Sequence, residues 1–410
     1  MDSASRTVNS ITVSVILATY NRAYYLPQAL DSILNQTHQP EEIIIVDDGS
    51  TDNTAEIVGR YGDRCRYFRT ENQGKSSALN FAIPRARGSH IWIFDDDDVA
   101  LPDALQLHVD FLASHPEADF SYSTNHVYYG EGDIWQRDKW RSKSIPNWSS
   151  NEFMIRTMEN MNTLLQGMLI PKRCYLEVGP FDELLLRAQD HEMLIRLAHR
   201  FRGLNIQQPT FVLRDHKGPR SPKIGRHDAG QLPAIQLQYQ QQFFLKVRDN
   251  YPLSCYLACE PVLSLPIPIS DDTQRGQALL QRGCIMLRQG LFDAALADLE
   301  KGFDYLNASG HHTEYAGLIL SKALDIDPWI MPHRYHLVLK LTRLLKAAGT
   351  KTLAPAMVRG MYWSFRRSLR RHRWREAARS ATMLCLTVLC NTRSFITRYI
   401  KRLPTEISAT

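Results

Sequence analysis

Two rhythms of apolar and polar residues alternate through the first hundred positions. Runs at 11–18 (ITVSVILA), 42–46 (EIIIV), 65–69 and 91–94 (IWIF) are short and rich in β-branched or aromatic residues. Such nearly unbroken apolar runs suit parallel strands covered on both faces. Between the first two, Leu26, Ala29, Leu30, Ile33 and Leu34 recur at helical spacing, which predicts an amphipathic helix. Further helices are expected around 55–61 and 76–83, and Pro102 is placed to open another. Strand and helix in alternation imply an α/β fold, a mostly parallel sheet with helices on both faces. In such a sheet the ligand crevice lies outside the carboxyl ends of the strands. Polar residues mark three of those ends: Ala18-Thr19-Tyr20-Asn21, Asp47-Asp48-Gly49-Ser50 and the four carboxylates Asp95 to Asp98.

The rhythm changes further on. Residues 217–233 turn rich in proline, glycine and lysine and read as a mobile loop or linker. A helix is expected over 235–250, and the PVLSLPIP stretch at 261–268 marks a boundary, which places a catalytic domain at 1–265. Beyond it, 266–410 reads as a small all-α domain. In 274–303, Gly283, Leu287, Gly290, Phe292, Ala295 and Leu299 are spaced as in one tetratricopeptide repeat, two antiparallel helices with Gly290 at the turn. The segment 371–389 is a weaker second match. One repeat cannot bury its own face, so this domain is expected to pack on itself or the enzyme, or to serve a protein partner or dimer.

Composition narrows the class. A chain of 410 residues, 44% hydrophobic and 22% charged, has the make-up of a globular protein of two or three domains. Its net charge of +6 is unevenly spread. Between Met357 and Arg402 arginines are dense and Glu376 is the only acid, so the remainder is mildly acidic. That tail suits peripheral contact with an anionic membrane, or simply a solvated helix face with arginines over apolar neighbours. No nucleic-acid module and no interleaved stacking aromatics accompany it, so nucleic acid is not an expected partner. Seven scattered cysteines argue against a disulfide framework, and no apolar run suits a signal peptide or a bilayer span. The expected address is the cytoplasm, with a peripheral position at the inner face of the membrane as the alternative.

Chemistry concentrates at the marked strand ends. Ionised carboxylates only accept hydrogen bonds, so Asp48 suits a ring N–H or a sugar hydroxyl, although Asp47 or Asp48 could equally cap the following loop. Asn72-Gln73-Gly74-Lys75 is a glycine-containing loop entering a helix, with Lys75 available to a phosphate or base. The run Asp95 to Asp98 offers hard oxygen ligands of the kind that bind Mg²⁺ or Mn²⁺. Together these describe a site for a nucleotide diphosphate held through a divalent cation. A Rossmann dinucleotide site fits less well, because no G-x-G-x-x-G follows the first strand.

Four ordered blocks, SVILATYNR (14–22), EIIIVDDGSTDNT (42–54), ENQGKSSALNFAIPRARGSHIWIFDDDDVALPDAL (71–105) and VGPFDELLLRAQDHEMLIRLA (178–198), resemble the family 2 glycosyltransferases of GT-A fold. The resemblance covers roughly residues 11–220. It implies inverting transfer of a sugar from a nucleotide donor, commonly UDP-linked, to a glycan or lipid-linked acceptor, with a divalent metal held at a D-x-D motif. By residue, it implies that Ala18, Thr19, Tyr20 and Asn21 line the nucleotide pocket and that Asp48 meets the uracil. Phe94-Asp95-Asp96-Asp97-Asp98 matches the family's LDxDD. Asp97 is then the metal ligand, Asp95 or Asp96 holds the ribose or donor sugar, and Asp98 helps to fix the loop. Gln189-Asp190 stands where the family has an E-D pair. Asp190 is thereby the general base, and Gln189 departs from the pattern. Arg214-Asp215-His216 resembles an R-x-H element whose histidine reaches the metal or diphosphate.

The base assignment also stands on its own chemistry. Inversion by direct displacement needs one free carboxylate to take the acceptor's proton, while the leaving diphosphate's charge is absorbed by the metal and nearby cations. The plain alternative for Asp190 is an acid favoured by the dipole at a helix start. Two other functions compete on the same fold. A sugar-nucleotide transferase would carry a glycine-rich, basic loop after the first strand, where this chain has TYNR. A non-catalytic glycan- or partner-binding module would be expected to have lost Asp97 or Asp190.

Overall fold

The computed structural model describes residues 11–130, 132–215, 232–257 and 271–309, together with positions 362, 365, 366, 369, 378 and 381. The chain divides into two compact units, one running to Leu232 and the other starting at Pro233. Outside the described residues lie His216, the expected boundary at 265, and most of the 217–233 loop and the 371–389 segment.

The first unit opens with β1 (Val13–Thr19), α1 (Leu26–Leu34), β2 (Glu42–Asp47), α2 (Thr54–Gly59), β3 (Arg66–Arg69), α3 (Lys75–Ala82) and β4 (His90–Asp95). The apolar runs of the sequence form these four strands, which lie side by side in the order β3-β2-β1-β4, all parallel. Side chains alternate across a strand, and the core follows that period of two. Val13, Val15, Leu17, Ile43, Ile45, Trp92 and Phe94 share one face with Leu26, Ala29, Leu30 and Ile33 of α1. Pro27 sits in the first turn of α1, where its missing N–H has no intrahelical partner to lose.

The chain continues with β5 (Val99–Ala100), α4 (Ala104–Ser114), β6 (Phe120–Tyr128), β7 (Trp140–Lys143), α5 (Ser150–Glu159), β8 (Met168–Pro171), α6 (Lys172–Val178), α7 (Gln189–Arg200) and β9 (Gly203–Arg214). These strands extend the sheet past β4 in the order β8-β6-β9-β5, with β7 on β6. Here β4–β8, β8–β6, β6–β7 and β9–β5 are antiparallel and only β6–β9 is parallel. The parallel sheet expected from the sequence is thus one half of a mixed sheet. Because β2 and β4 flank β1 on opposite sides, the strand order reverses at the β1–β4 pair, the place where open α/β sheets bind ligands.

The second unit contains α8 (Leu232–Asn250), α9 (Asp272–Arg288) and α10 (Phe292–Ser309). Asp271 caps α9 by accepting from the backbone N–H of Gln274 at 2.7 Å. Gly290, at φ +72, makes the turn between α9 and α10, a backbone state glycine adopts without steric cost. Asp298 on α10 is buried and takes hydrogen bonds from both Arg248 of α8 and Arg282 of α9. Among the described residues, no helix is long and apolar enough to cross a membrane.

Candidate active site

Register brings the marked strand ends level. Ala18 pairs with Asp95 on one side of β1, and Thr19 pairs with Asp47 on the other. Thr19 is buried, while Ala18, Tyr20 and Asn21 are half-buried at the same tip. Asn21 adopts φ +53, a state asparagine tolerates better than most residues. Its Oδ1 accepts from the backbone N–H groups of Thr51 (2.7 Å) and Asp52 (3.3 Å), and its own N–H donates to Ser50 Oγ. Asn21 therefore ties the loop after β1 to the loop after β2. Asp47 is spent on structure, accepting from the Ser50 N–H at 2.7 Å and the Tyr67 hydroxyl at 2.6 Å. Asp48, also buried, accepts from the N–H groups of Gln73 and Gly74, both at 2.8 Å. Burial raises its pKa, and the two N–H groups work the other way. Each carboxylate oxygen has a second lone pair, so this clamp leaves Asp48 able to accept from a ligand.

The four aspartates after β4 have different surroundings. Asp95 Oδ1 accepts from Lys75 Nζ at 2.8 Å, and its Oδ2 from Gln166 Nε2 at 2.6 Å. Asp96 is buried, and burial together with the Asp97 charge pushes it up to about 7. Asp97 Oδ2 lies 3.0 Å from Arg22 Nη1. Asp98 is the deepest; it accepts from Gln166 Nε2 and from the Arg214 backbone N–H, each at 2.8 Å. Burial, then the neighbouring charges of Asp97 and Asp95, raises Asp98 well above the ordinary carboxylate range. Arg214 further braces the loop by donating from Nε to the Asp97 carbonyl at 2.9 Å.

Carboxylates that burial and mutual repulsion hold up in pKa are stabilised by added positive charge. Ligand oxygens of Asp95, Asp97 and Asp98 all lie within 4.8 Å of one another. This hard, anionic donor set fits Mg²⁺ or Mn²⁺, which complete their shells with water and phosphate oxygens.

Asp190 reaches the same edge from far along the chain. It stands in the first turn of α7, after Ala188, whose φ of +63 turns the chain sharply into the helix. Its Oδ2 accepts from Lys75 Nζ at 2.9 Å, while its Oδ1 is buried with no hydrogen-bond partner among the described residues. Burial opposes the Lys75 charge, but the Asp190 and Asp95 carboxylates outweigh it and hold the ammonium above the ordinary lysine range. The next residue, His191, points elsewhere, with Nε2 2.5 Å from the Thr157 carbonyl.

Ala18, Thr19, Tyr20, Asn21, Asp48, Lys75, the acidic run and Asp190 thus belong to one edge of the first unit. Three side chains to which the sequence reading gave no role bind this run: Arg22, Gln166 and the Arg214 guanidinium. Arg22 sat in plain view in TYNR, one step past the polar strand tip. Gln166 carried a fainter signal, a lone amide among the apolar residues of LLQGMLIP.

Residues 14–174 match the family model described as glycosyl transferase family 2. This segment is a family 2 glycosyltransferase domain. It includes Asp48, Lys75 and Asp95 to Asp98, whereas Asp190 and Arg214 lie beyond the matched residues. The chain is 30% identical over 224 residues to an uncharacterized glycosyltransferase of Rickettsia felis, a match covering 53% of this chain and 36% of that protein. With a Rickettsia typhi glycosyltransferase it shares 33% over 185 residues, covering 44% and 57% respectively. With the chondroitin synthase of Pasteurella multocida it shares 30% over 198 residues, covering 47% and 20%. The chain therefore spans between about a fifth and three fifths of the length of these relatives. Among solved structures, S. aureus TarS 1-349 in complex with UDP-GlcNAc overlays with a TM-score of 0.49 at 16% identity, covering 88% of this chain and 92% of that one. The longer TarS structure gives 0.47 at 17%, covering 85% and 55%. Overlays this weak carry no argument, and the fold of the first unit stands on its own mixed α/β sheet.

Proposed function

We propose that the protein is an inverting glycosyltransferase that moves a sugar from a UDP-linked donor to a hydroxyl of a glycan or lipid-linked acceptor. The observation that carries this reading is the convergence of Asp190 on the strand-tip carboxylates, where one ammonium bonds both Asp190 and Asp95. Relatives named chondroitin synthase and hyaluronan synthase favour a glycan acceptor, and a UDP-linked donor is what the family resemblance implies.

The residues divide the work by position. Asp48 and the tip Ala18 to Asn21 receive the nucleoside, and Asp96, whose carboxylate interacts with the Thr19 side chain, serves ribose or donor sugar. Asp95, Asp97 and Asp98 would hold a divalent cation, which when bound offsets the charge of the leaving diphosphate. Asp190 Oδ1 takes the proton of the acceptor hydroxyl as its oxygen bonds the anomeric carbon from the face opposite the diphosphate. The carbon–diphosphate bond breaks as that bond forms, so the configuration inverts. His216 is a further candidate for the metal or diphosphate, and the arginine-rich tail a candidate contact with the surface that carries a lipid-linked acceptor.

The test is nucleotide release from UDP-, GDP- and dTDP-sugars, with and without Mn²⁺. Release is expected with a UDP-sugar, to collapse on chelation, and to fall by two or more orders of magnitude in Asp97→Ala. Asp190→Ala should keep donor affinity and lose about 10²–10⁴-fold in turnover. Release that ignores chelation overturns the metal assignment. Absence of release with every donor, alongside intact glycan binding, would make the protein a binding module instead.

A further inference from the structure

Lys75 is the first residue of α3, following Gly74 at φ +96. Lysine beside a nucleotide pocket is ordinarily read as a phosphate contact, yet this ammonium spends two of its three donors on carboxylates. It bonds Asp95 Oδ1 at 2.8 Å and Asp190 Oδ2 at 2.9 Å. One nitrogen thus joins the tip of β4, on the donor side, to the first turn of α7.

We propose that Lys75 is a positioning residue for sugar transfer, pinning Asp190 by Oδ2 so that Oδ1 is the oxygen left to accept the acceptor's proton. This rests on the reading of Asp190 as base. Two physical effects support it. An aspartate carboxylate turns in a broad, roughly two-fold torsional well, so a free one presents either oxygen at a range of angles. A bond to Oδ2 removes that freedom, and Oδ1 is the atom that stands without a hydrogen-bond partner among the described residues. Without the ammonium, moreover, Asp95 and Asp190 would face each other across the width of a single nitrogen, and like charges so close push apart. Lys75 therefore fixes the direction of the base and its distance from the donor-side carboxylate.

The experiment compares Lys75→Met, which keeps the length of the side chain without the charge, with Lys75→Ala and Asp190→Asn. Nucleotide release is followed with the UDP-sugar that the wild type turns over, and UDP affinity is measured by calorimetry. Lys75→Met is expected to lower kcat on the order of 10²-fold while donor KM and UDP Kd stay within about twofold. Added methylammonium should restore part of the kcat of Lys75→Ala, since a small cation can enter the space left behind. A phosphate contact would give the opposite split, a UDP Kd weakened about tenfold or more with kcat at saturating donor retained, and that result overturns the assignment. Loss of kcat without amine rescue, together with an equal fall in melting temperature for both lysine variants, also overturns it. An inactive Asp190→Asn beside a fully active Lys75→Met sinks the Lys75 assignment alone. A fully active Asp190→Asn instead removes the base reading, and a wild type that turns over no donor removes both.

Discussion

A single amide nitrogen, Gln166 Nε2, donates to Asp95 at 2.6 Å and to Asp98 at 2.8 Å. The backbone of the same residue is anchored by the indole N–H of Trp92, which donates to its carbonyl at 2.7 Å. Asp98 is only 1% exposed, so it cannot exchange the lost amide for bulk water. A buried polar group left without its partner costs about 1–3 kcal/mol. Gln166→Leu, similar in size but with no donor, should therefore lose about that much stability in a urea melt. It should also weaken Mn²⁺ binding measured in the absence of any sugar nucleotide, because both Asp95 and Asp98 lose their orientation. A variant that melts and binds Mn²⁺ like the wild type would show that the two carboxylates are held by other contacts. Arg22 acts on Asp97 Oδ2, within the same cluster of carboxylates, so its removal should couple with the Gln166 effect rather than add to it.

At the scale of elements, the second unit depends on two helices that approach too closely for ordinary side chains. A Cβ added at Gly276 would meet Leu306 Cγ at 2.7 Å and the Gly302 carbonyl at 2.9 Å. Helix propensity alone favours alanine over glycine by about 1 kcal/mol. Overpacking against a neighbouring backbone costs about 1–3 kcal/mol, and here the obstacle includes a carbonyl oxygen that cannot rotate away. Gly276→Ala is expected to destabilise the protein, read as a lower melting temperature; a higher one would mean that the pair separates freely. The glycine signal at Gly290 was legible in the sequence because turn chemistry is local. Close packing at Gly276 was not, since it depends on which residue of α10 lies opposite. The same contrast divides the first unit. Strands β1 to β4 were legible because burial on both faces leaves unbroken apolar runs, and the strand-tip polar clusters followed from them. The antiparallel half was not: β6 (FSYSTNHVY) buries serine, threonine and asparagine, and β5 is two residues long. The place of Asp190 at a helix start was legible through its sequence block, but its junction with Lys75 joins residues from α3 and α7 that no local pattern connects.

Across the whole first unit, buried titratable groups set how stability responds to acid. His108 is fully buried on α4, its Nδ1 2.8 Å from Ser121 Oγ, and burial pushes its pKa down to about 3. His191 is pushed down to about 4 by burial, with its bond to the Thr157 carbonyl acting the other way. In the unfolded chain both return to about 6.5. Between pH 6.5 and about 4 the unfolded state therefore binds protons that the fold refuses, so this stabilisation is complete above pH 6.5 and is lost as pH falls. The acidic loop has the opposite sign. Asp96, pushed up to about 7 chiefly by burial, is protonated in the fold at pH values where the unfolded aspartate is already ionised. Its contribution grows on acidification from pH 7 toward 4, so the total slope for the wild type is a partial cancellation. A single substitution separates the two. His108→Gln keeps a polar group beside Ser121 but cannot be protonated, and it leaves the acidic loop untouched. Comparing urea melts at pH 7 and pH 5 in the presence of a chelator, the variant should lose less stability than the wild type by about 2 kcal/mol. Equal losses in the two proteins would mean that His108 takes up its proton without unfolding the region around it.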